Sequence, residues 1–324
     1  MIDEALLEAL QGGAWCSGAE IARRVGVSRT AVWKKIEALR DAGYSIEAVA
    51  GRGYRLLGGP DRLLPGEIRP HLRAARFGAE IVYREDVDST NRLASDLARE
   101  GAAEGTAVVA ETQTAGRGRL GRTWTSPANV NLYLSVILRP DVAPAEVTSL
   151  SLVAAIAVAE TVRETTGLRA GIKWPNDVLL GERKVAGILT EMDAEADRVR
   201  FLVLGIGVNL NATTRDFPPD LRRKASSLRI AARRRIDRAS FAGVLLSELE
   251  HYYERFVAGG FPAVKAAYDG WHCLPGRRVR VDGGGDPRGV VQGVAPDGAL
   301  LVETENGVVR VSAGEVSLRG SYRS

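Results

Sequence analysis

The sequence Gly-Arg-Gly-Arg-Leu-Gly-Arg-Thr-Trp occupies residues 116–124, between two runs that read as strands, Ala107–Glu111 and Asn131–Leu138. Glycines let a backbone approach a ligand closely and turn its N–H groups inward. Arginine guanidinium groups form paired hydrogen bonds with carboxylates and phosphates. The stretch lacks the lysine-containing pattern of a P-loop. It predicts an anion-binding loop, and a flexible Arg-Gly segment that touches nucleic acid without chemistry is the alternative.

Three stretches downstream carry polar residues where strands begin or end. Lys173-Trp-Pro-Asn-Asp177 brackets a rigid Trp-Pro with opposite charges; a strand end with an Asn-Asp turn is the alternative. Lys184 precedes the apolar run Val185–Leu189. Burying a lysine in a core costs free energy unless an anion pairs with it. The alternative is a strand-edge lysine that faces water. Gly205-Ile-Gly-Val-Asn209 ends a strand, and its small residues and amide suit a flat ring, with a plain β-bulge as the alternative.

A polar stretch upstream of the arginine loop suits a neutral ligand. Asp88-Ser-Thr-Asn91 precedes a predicted helix from Arg92 to Arg99, for which an ordinary helix cap is the alternative interpretation. Gln113, with Ser89 and Thr90, can satisfy the donors and acceptors of a polar neutral group such as a cyclic urea.

Length and composition exclude several classes of protein. The 324 residues predict two or three domains, and 45% hydrophobic with 26% charged residues excludes disorder as the main state. The longest apolar run without charges, between Glu146 and Glu160, is shorter than the ~20 residues of a membrane span. The N-terminus lacks a basic region before an apolar stretch. We therefore expect a cytoplasmic protein with no membrane partner. The two cysteines, far apart in sequence, exclude a disulfide framework and a CxxC metal site, and none of the three histidines sits at metal-ligand spacing from another.

The first of three compositional zones predicts a winged helix-turn-helix. Ser17 and Ser28 precede helical patterns at Gly18–Val25 and Arg29–Asp41, and a Gly-rich hairpin follows. Between residues 20 and 55, eight basic and four acidic residues give a net charge of +4, equal to that of the whole chain. Trp33 fits either the core or a DNA-facing surface. The candidate DNA contacts are Arg29, Thr30, Lys34 and Arg52. The alternative is a domain that only shapes the catalytic domain.

The other two zones differ in their secondary structure. Residues from about 63 mix strands and helices without strict alternation, which favours an α+β fold. Residues from about 276 carry short Val-rich runs separated by Gly-Gly, Asp-Gly and Asn-Gly, which predict a small β-barrel or meander. The densest basic stretch, Arg222–Arg238, is interpreted as a solvated face or loop. We predict domains at residues 1–62, 63–272 and 273–324.

These stretches, in this order, resemble the bifunctional bacterial biotin protein ligases that double as repressors of the biotin operon. The resemblance implies an α+β fold with an N-terminal winged helix-turn-helix, a central class II synthetase-like mixed α/β catalytic domain and a C-terminal SH3-like β-barrel. The pieces that carry it are Asp88–Asn91, Gln113, Gly116–Arg122, Lys173–Asp177, Arg183–Leu189, Gly205–Asn209 and Glu315–Arg319.

The resemblance also implies a reaction in two steps. Biotin and ATP give biotinyl-5′-AMP and pyrophosphate, and a lysine of a biotin carboxyl carrier protein then attacks the mixed anhydride. The biotin carboxylate and the α-phosphate repel each other by ~1 kcal/mol at 4 Å in water and by more at a lower dielectric constant. Lys184 is expected to bridge these two anions, with Arg117 and Arg119 as further catalytic residues. The reaction needs no enzyme nucleophile.

The ligand contacts follow from the same resemblance. The expected biotin contacts are Ser89, Thr90, Asn91, Gln113, Arg117, Gly118, Arg119, Trp124, Lys184 and Gly187. The expected ATP contacts are Arg119, Arg122, Lys173, Asn176, Asn209 and Arg319. Asp177 is the expected ligand of Mg²⁺, which three phosphates would favour.

One winged helix buries too little surface for tight operator binding, so a homodimer on operator DNA is expected. The resemblance suggests that biotinyl-AMP orders loops that support this dimer. Three alternatives are a ligand-sensing regulator without ligase activity, a lipoate-type ligase, and an RNA-binding protein that uses the Arg-Gly loop.

Overall fold

The computed structural model describes residues 4–10, 13–41, 43–59, 61–143, 146–195, 198–283 and 285–318. Its first part is three helices and a hairpin, of which the second and third helices and the hairpin are as predicted above. Ser17 Oγ accepts from Glu20 N at 3.2 Å and Ser28 Oγ accepts from Ala31 N at 3.2 Å, so both predicted caps are confirmed. The elements are α1 (Glu4–Leu10), α2 (Gly18–Val25), α3 (Arg29–Asp41), β1 (Ser45–Val49) and β2 (Gly53–Gly58).

A seven-stranded mixed sheet forms the central part, in the order β3-β4-β5-β9-β8-β7-β6. β3 and β4 are parallel, and the other neighbouring strands are antiparallel. This arrangement confirms the α+β prediction, although β3, β6 and β7 were not predicted from the sequence. The strands are β3 (Ile81–Val87), β4 (Ala107–Gln113), β5 (Leu132–Leu138), β6 (Gly171–Lys173), β7 (Asp177–Leu180), β8 (Arg183–Glu195) and β9 (Arg198–Val208).

Helices cover both faces of this sheet. The apolar side chains of one face share a core with α6, α8 and α9, and α5 packs on the opposite face. α5 begins at Thr90, so the prediction of a start at Arg92 was wrong. Ser89 is extended, and the Thr90 N–H already has a partner in Gln113. The helices are α4 (Pro65–Ile68), α5 (Thr90–Arg99), α6 (Val147–Thr166), α7 (Leu228–Ala232), α8 (Arg238–Gly259) and α9 (Pro262–Trp271).

The last part is an antiparallel sheet in the order β13-β12-β11-β10-β14. Its buried valines and Leu300 join the same core as the central sheet. Trp174 Nε1, fully buried, donates to Gly298 O at 3.0 Å across this junction. The strands are β10 (Arg278–Asp282), β11 (Arg288–Val294), β12 (Leu300–Thr304), β13 (Gly307–Val311) and β14 (Glu315–Leu318).

The basic stretch 222–238 is not uniformly solvated, which corrects the prediction. Arg238, at the start of α8, has a side chain that is 0% exposed. It is buried because its guanidinium meets the carboxylates of Asp61 and Glu111, each at 2.7 Å. Among the described residues, we find no helix with the length and apolarity that a membrane crossing requires.

Candidate functional site

A cavity of about 50 Å³ lies between the N-terminus of α5, the arginine loop and the strands β8 and β9. Every residue expected to contact biotin lines it, together with Asn176 from the expected ATP contacts. The lining consists of Ser89, Thr90, Asn91, Gln113, Arg117, Gly118, Arg119, Trp124, Tyr133, Leu134, Asn176, Lys184, Gly187, Ile188, Leu189, Gly205, Ile206 and Gly207. Stretches from five parts of the sequence therefore meet at one place.

Gln113 organises the polar floor of the cavity. Its Oε1 accepts from Thr90 N at 2.9 Å and Thr90 Oγ1 at 3.1 Å, while its Nε2 donates to Ser126 Oγ at 3.0 Å. Ser89, Thr90 and Asn91 are all at least 90% buried. Ser89 Oγ does not cap α5. This arrangement disfavours an ordinary helix cap and leaves a row of buried amide and hydroxyl groups at the cavity.

Asn91 occupies a second part of the floor. Its Nδ2 donates to Glu191 Oε2 at 2.7 Å, and its Oδ1 lies 2.6 Å from Ser135 Oγ. A Cβ on Gly205 would lie 2.1 Å from Asn91 Oδ1. The strand glycine therefore makes room for the amide, which is a reason for its presence that a β-bulge does not supply.

Two further strand glycines make room for Trp124. A Cβ on Gly207 would lie 2.6 Å from the indole, and one on Gly187 would lie 3.0 Å from it. The buried Trp124 Nε1 has no hydrogen-bond partner in the part of the chain that is described. The cavity is well below the roughly 300–1,000 Å³ of typical ligand pockets. The indole of Trp124 forms part of the cavity wall.

Lys184 projects toward the cavity from the start of β8. Its Nζ lies 2.5 Å from Asp177 Oδ1 and 5.3 Å from the centre of the Trp124 ring. The backbone of Lys184 pairs with the basic stretch, since its N donates to Lys224 O and its O accepts from Ser226 N. Lys184 is therefore a half-buried cation held between a carboxylate and an aromatic face, rather than a strand-edge lysine that faces water.

The arginine loop bridges the cavity and the C-terminal sheet. Arg117 Nη2 lies 3.0 Å from Glu191 Oε2. Arg119 Nη1 donates to Asn176 Oδ1 at 3.2 Å and to Gly314 O at 3.4 Å. Burial lowers the pKa of the Arg119 guanidinium, partly offset by Asp177 and Glu315. Arg119 is thus a partly desolvated cation between the cavity and the C-terminal sheet, and partial desolvation strengthens its attraction for an anion.

Some expected nucleotide contacts do not line the cavity. Arg122, 65% exposed, forms a bidentate pair with Glu315. Lys173 Nζ lies 4.0 Å from Asp177 Oδ2. Asn209 is buried, and its Nδ2 donates to Ser226 O at 3.1 Å, beside the Lys184 pairing. Arg319 lies outside the described residues.

The sequence reasoning missed several polar residues of the site. Ser126, Ser135 and Glu191 complete the hydrogen bonds of the floor. They lie on strands or loops whose pairing decides their position, so no local motif marks them. Glu315 lies in a stretch that the resemblance matched, but nothing in that stretch points to an arginine partner.

The winged helix presents a separate basic surface. Arg29, Thr30 and Lys34 are exposed on α3, opposite its buried apolar face. Trp33 is 55% exposed, so it belongs to this surface and not to the core. Arg52, at the wing, stacks 4.9 Å above the ring of Trp15. The candidate DNA contacts therefore lie at the protein surface.

Comparisons with known proteins agree with this architecture. Residues 83–209 match the biotin/lipoate A/B protein ligase family, residues 4–55 match an HTH domain, and residues 276–319 match the biotin protein ligase C terminal domain. The biotin protein ligase from Aquifex aeolicus, solved in complex with biotin and ATP, is 32% identical with a TM-score of 0.66. The match covers 74% of this chain and 99% of that one.

Two relatives match almost end to end. The bifunctional ligase/repressor BirA of Bacillus subtilis is 41% identical over 308 residues, 95% of each chain. The protein of the same name from Escherichia coli is 33% identical, over 98% of this chain and 97% of that protein. On the extent of these matches, the chain belongs to the bifunctional ligase/repressor family of biotin protein ligases.

Proposed function

We propose that this chain uses ATP to convert biotin to biotinyl-5′-AMP and transfers the biotinyl group to a lysine of a biotin carboxyl carrier protein. One observation carries the proposal. The cavity joins a neutral polar floor around Gln113 to a set of cations, Lys184, Arg117 and Arg119. The neutral polar floor suits the hydrogen bonds of a ureido ring, and the cations suit the negative charge of an adenylate.

The first step brings a carboxylate oxygen of biotin to the α-phosphorus of ATP. The new C(O)–O–P bond forms as the bond between the α-phosphorus and the bridging oxygen of the β-phosphate breaks, and pyrophosphate leaves. Lys184, drawn from Asp177, neutralises the two anions, and Arg119 supplies a guanidinium in a desolvated place. Such cations position the two reacting anions and stabilise the charge of the transition state. The reaction needs no covalent bond between the enzyme and the transferred group.

In the second step the amine of the carrier lysine attacks the anhydride carbonyl, and AMP leaves. The amine must be uncharged when it attacks. We assign no general base to this step, since Asp177 and Glu191, the two carboxylates that pair with cavity residues, both have cation or amide partners.

Magnesium enters this proposal as part of the nucleotide substrate. In the described part of the chain, no group of three or more histidine, cysteine, aspartate or glutamate side chains is placed to hold a metal. Asp177 is paired with Lys184. Magnesium is commonly held by one or two carboxylates and by phosphate oxygens. We therefore propose that Asp177 supplies a ligand to an ion that arrives with ATP.

The winged helix makes a repressor role part of the proposal. The exposed residues Arg29, Thr30, Lys34 and Arg52 contact operator DNA, and the protein binds DNA as a homodimer promoted by biotinyl-AMP. Sedimentation with and without biotinyl-AMP tests this part. An increase in mass on binding supports it, and an unchanged mass contradicts it.

The catalytic part is tested by mass spectrometry of a purified biotin carrier domain incubated with the protein, ATP and biotin. We expect a gain of one biotinyl group that depends on both substrates. A matched incubation with lipoate tests the lipoate-type alternative. We expect no gain in mass with lipoate, because lipoate lacks the ureido group that the floor would bind. No gain with either acid would support a regulator without ligase activity.

A further inference from the structure

Trp15 precedes α2 in the sequence but lies beside the wing, which consists of β1, β2 and the turn between them. Two backbone hydrogen bonds hold this stretch against β2. Cys16 N donates to Tyr54 O and Tyr54 N donates to Cys16 O, both at 2.9 Å. A Cβ on Gly53 would lie 2.2 Å from Cys16 O, so this close approach needs a glycine. Backbone pairing therefore places the indole next to the wing.

The indole of Trp15 contacts two arginines of the wing. The Cζ of Arg52 lies over the ring, 4.9 Å from its centroid, and the Cζ of Arg55 lies 5.0 Å from it. A guanidinium within about 6 Å of an indole centroid is attracted by the ring face. Trp15 is half-buried, so part of its ring is shielded from water. The indole therefore restrains both guanidinium groups.

The two arginines differ in their other partners. Arg55 Nη2 lies 2.7 Å from Glu47 Oε2, and these two residues face each other across β1 and β2. Within the described part of the chain, Arg52 pairs with no carboxylate. Arg55 is thus anchored to the hairpin and its charge is neutralised. Arg52 keeps its full charge, and the ring of Trp15 is what restrains it.

This kind of restraint leaves Arg52 able to bind an anion. A cation–π contact leaves most of the five N–H donors of a guanidinium unused, whereas a bidentate ion pair with a carboxylate occupies two of them. A mobile arginine loses rotamer entropy when it binds, and a restrained arginine has lost part of that entropy beforehand. Arg52 is therefore better prepared for a phosphate than an unrestrained surface arginine.

We propose that Trp15 is a positioning residue for DNA binding, which holds Arg52 of the wing in place for a phosphate of duplex DNA. Arg55, anchored by Glu47, holds the same ring from β2. The proposal rests on the proposed repressor function in taking duplex DNA as the ligand of the winged helix. It adds that an aromatic residue outside both α3 and the wing contributes to the affinity.

The first experiment tests the contact in the full-length protein without DNA. NMR of protein labelled at the arginine nitrogens records the side-chain Nε–H signals, and the signal missing from Arg52→Gln identifies Arg52. A proton above the face of an indole is shifted upfield by the ring current. We expect Trp15→Leu to move the Arg52 signal downfield. An Arg52 signal at the same position in both proteins overturns the proposal.

The second experiment measures the Kd of the full-length protein for a mixed-sequence DNA duplex at several NaCl concentrations, by fluorescence anisotropy. Affinity for such a duplex comes mainly from phosphate contacts. Arg52→Gln removes one contact, so the slope of log K against log [NaCl] should become shallower by about 0.9. Trp15→Leu keeps the charge, so this slope should change by less than about 0.3. Its Kd should rise about two- to fivefold, the range of an exposed cation–π contact.

The double variant separates a positioning role from a structural one. In the Arg52→Gln background, Trp15→Leu has no guanidinium to hold, so the Kd should change by less than about 1.5-fold. An equal loss in both backgrounds overturns the proposal, because the indole would then act on the fold or contact DNA itself. Trp15→Phe, which keeps a smaller ring face, should recover part of the affinity in the wild-type background. A Kd for Trp15→Phe equal to that of Trp15→Leu counts against the proposal.

Leu57→Ala is the matched control. Leu57 is an apolar residue of β2 that is 57% exposed, and we expect a wild-type Kd. A loss equal to that of Trp15→Leu would show that any apolar truncation in this domain weakens binding, and the proposal would be overturned. A wild-type protein that does not bind the duplex contradicts the repressor function, and the proposal with it. Wild-type binding with equal losses in both backgrounds contradicts the positioning role alone.

Discussion

Two sets of arginines in this chain have opposite surroundings. Arg117 and Arg122 of the loop are 47% and 65% exposed and pair with single carboxylates at the surface, whereas Arg238 is 0% exposed and is shared by two carboxylates. From the sequence, the loop arginines were the more prominent set because they lie in a motif. Arg238 ends a basic run that was interpreted as a solvated face or loop. The difference teaches that a motif marks where a ligand binds, while burial decides which charges the fold depends on.

The largest effect is expected from Lys184→Ala. Loss of the cation between carboxylate and phosphate should lower adenylate formation about 10³-fold, near the upper end for removing one electrostatic group from an active site. The rate of ATP–pyrophosphate exchange measures this. Lys265→Ala is the control, since Lys265 pairs with Asp269 on α9 outside the cavity. Wild-type exchange in the Lys184 variant would show that Lys184 is not the cation that bridges the carboxylate and the phosphate.

Arg238→Ala tests the buried member of the comparison. Glu111 would keep a buried charge without its cation, so the free energy of unfolding should fall by about 3–5 kcal/mol. Unfolding in urea measures this change. Arg235, 59% exposed, pairs with Asp61 at 2.6 Å, so Arg235→Ala should lower the free energy of unfolding by less than about 1 kcal/mol. Similar losses for the two variants would show that burial does not distinguish them.

Arg119→Gln lies between the two sets, because Arg119 is in the loop but partly desolvated. We expect about a 10²-fold fall in kcat/KM for ATP, since a preorganised cation is lost. The free energy of unfolding should change by less than about 1 kcal/mol, since its partners are neutral oxygens that water can satisfy. Arg119→Lys, which keeps the charge, should recover part of the activity. A large loss of stability in the Arg119→Gln variant would show that the fold depends on Arg119, as it does on Arg238.

His272 is a buried titratable group that, unlike Arg238, pairs with no carboxylate among the described residues. Burial lowers the pKa of His272 to about 4, and neither ring nitrogen has a hydrogen-bond partner in the described chain. The unfolded state, with a histidine pKa near 6.5, therefore binds the proton first, so stability is lost as pH falls from about 6.5 toward 4. Between pH 7 and pH 5 the loss should be about 2 kcal/mol. Urea unfolding at several pH values should show a smaller slope for His272→Phe, and equal slopes would contradict this assignment.

Arg122→Gln should have the smallest effect. Its pair with Glu315 is largely exposed and screened by salt, so the free energy of unfolding should change by less than about 1 kcal/mol. The KM for ATP should rise by no more than about threefold. A loss as large as that of Arg119→Gln would place Arg122 on the nucleotide in the active complex.

The fold was largely predictable where local patterns act. Serine caps and helical spacing predicted α2 and α3 at their observed bounds. The short strand β6 and the edge strand β14 were missed because three or four residues carry too little periodicity, and their pairing partners are distant in sequence.

The site was predictable as a set of residues but not as a geometry. The loop, Lys184 and Gln113 meet as expected, because each lies in a distinctive local stretch. Ser126, Ser135 and Glu315 could not be foreseen, since their partners are set by strand order and by the C-terminal sheet. The burial of Arg238 was not predicted, because it depends on Glu111 and Asp61, which lie 127 and 177 residues away in the sequence.

Trp124, seated on Gly187 and Gly207, limits what these two positions can hold. A methyl group at position 207 would come within 2.6 Å of the indole and one at position 187 within 3.0 Å, so alanine at either position would crowd the ring. The width of the cavity beside the indole therefore depends on two residues that have no side chain.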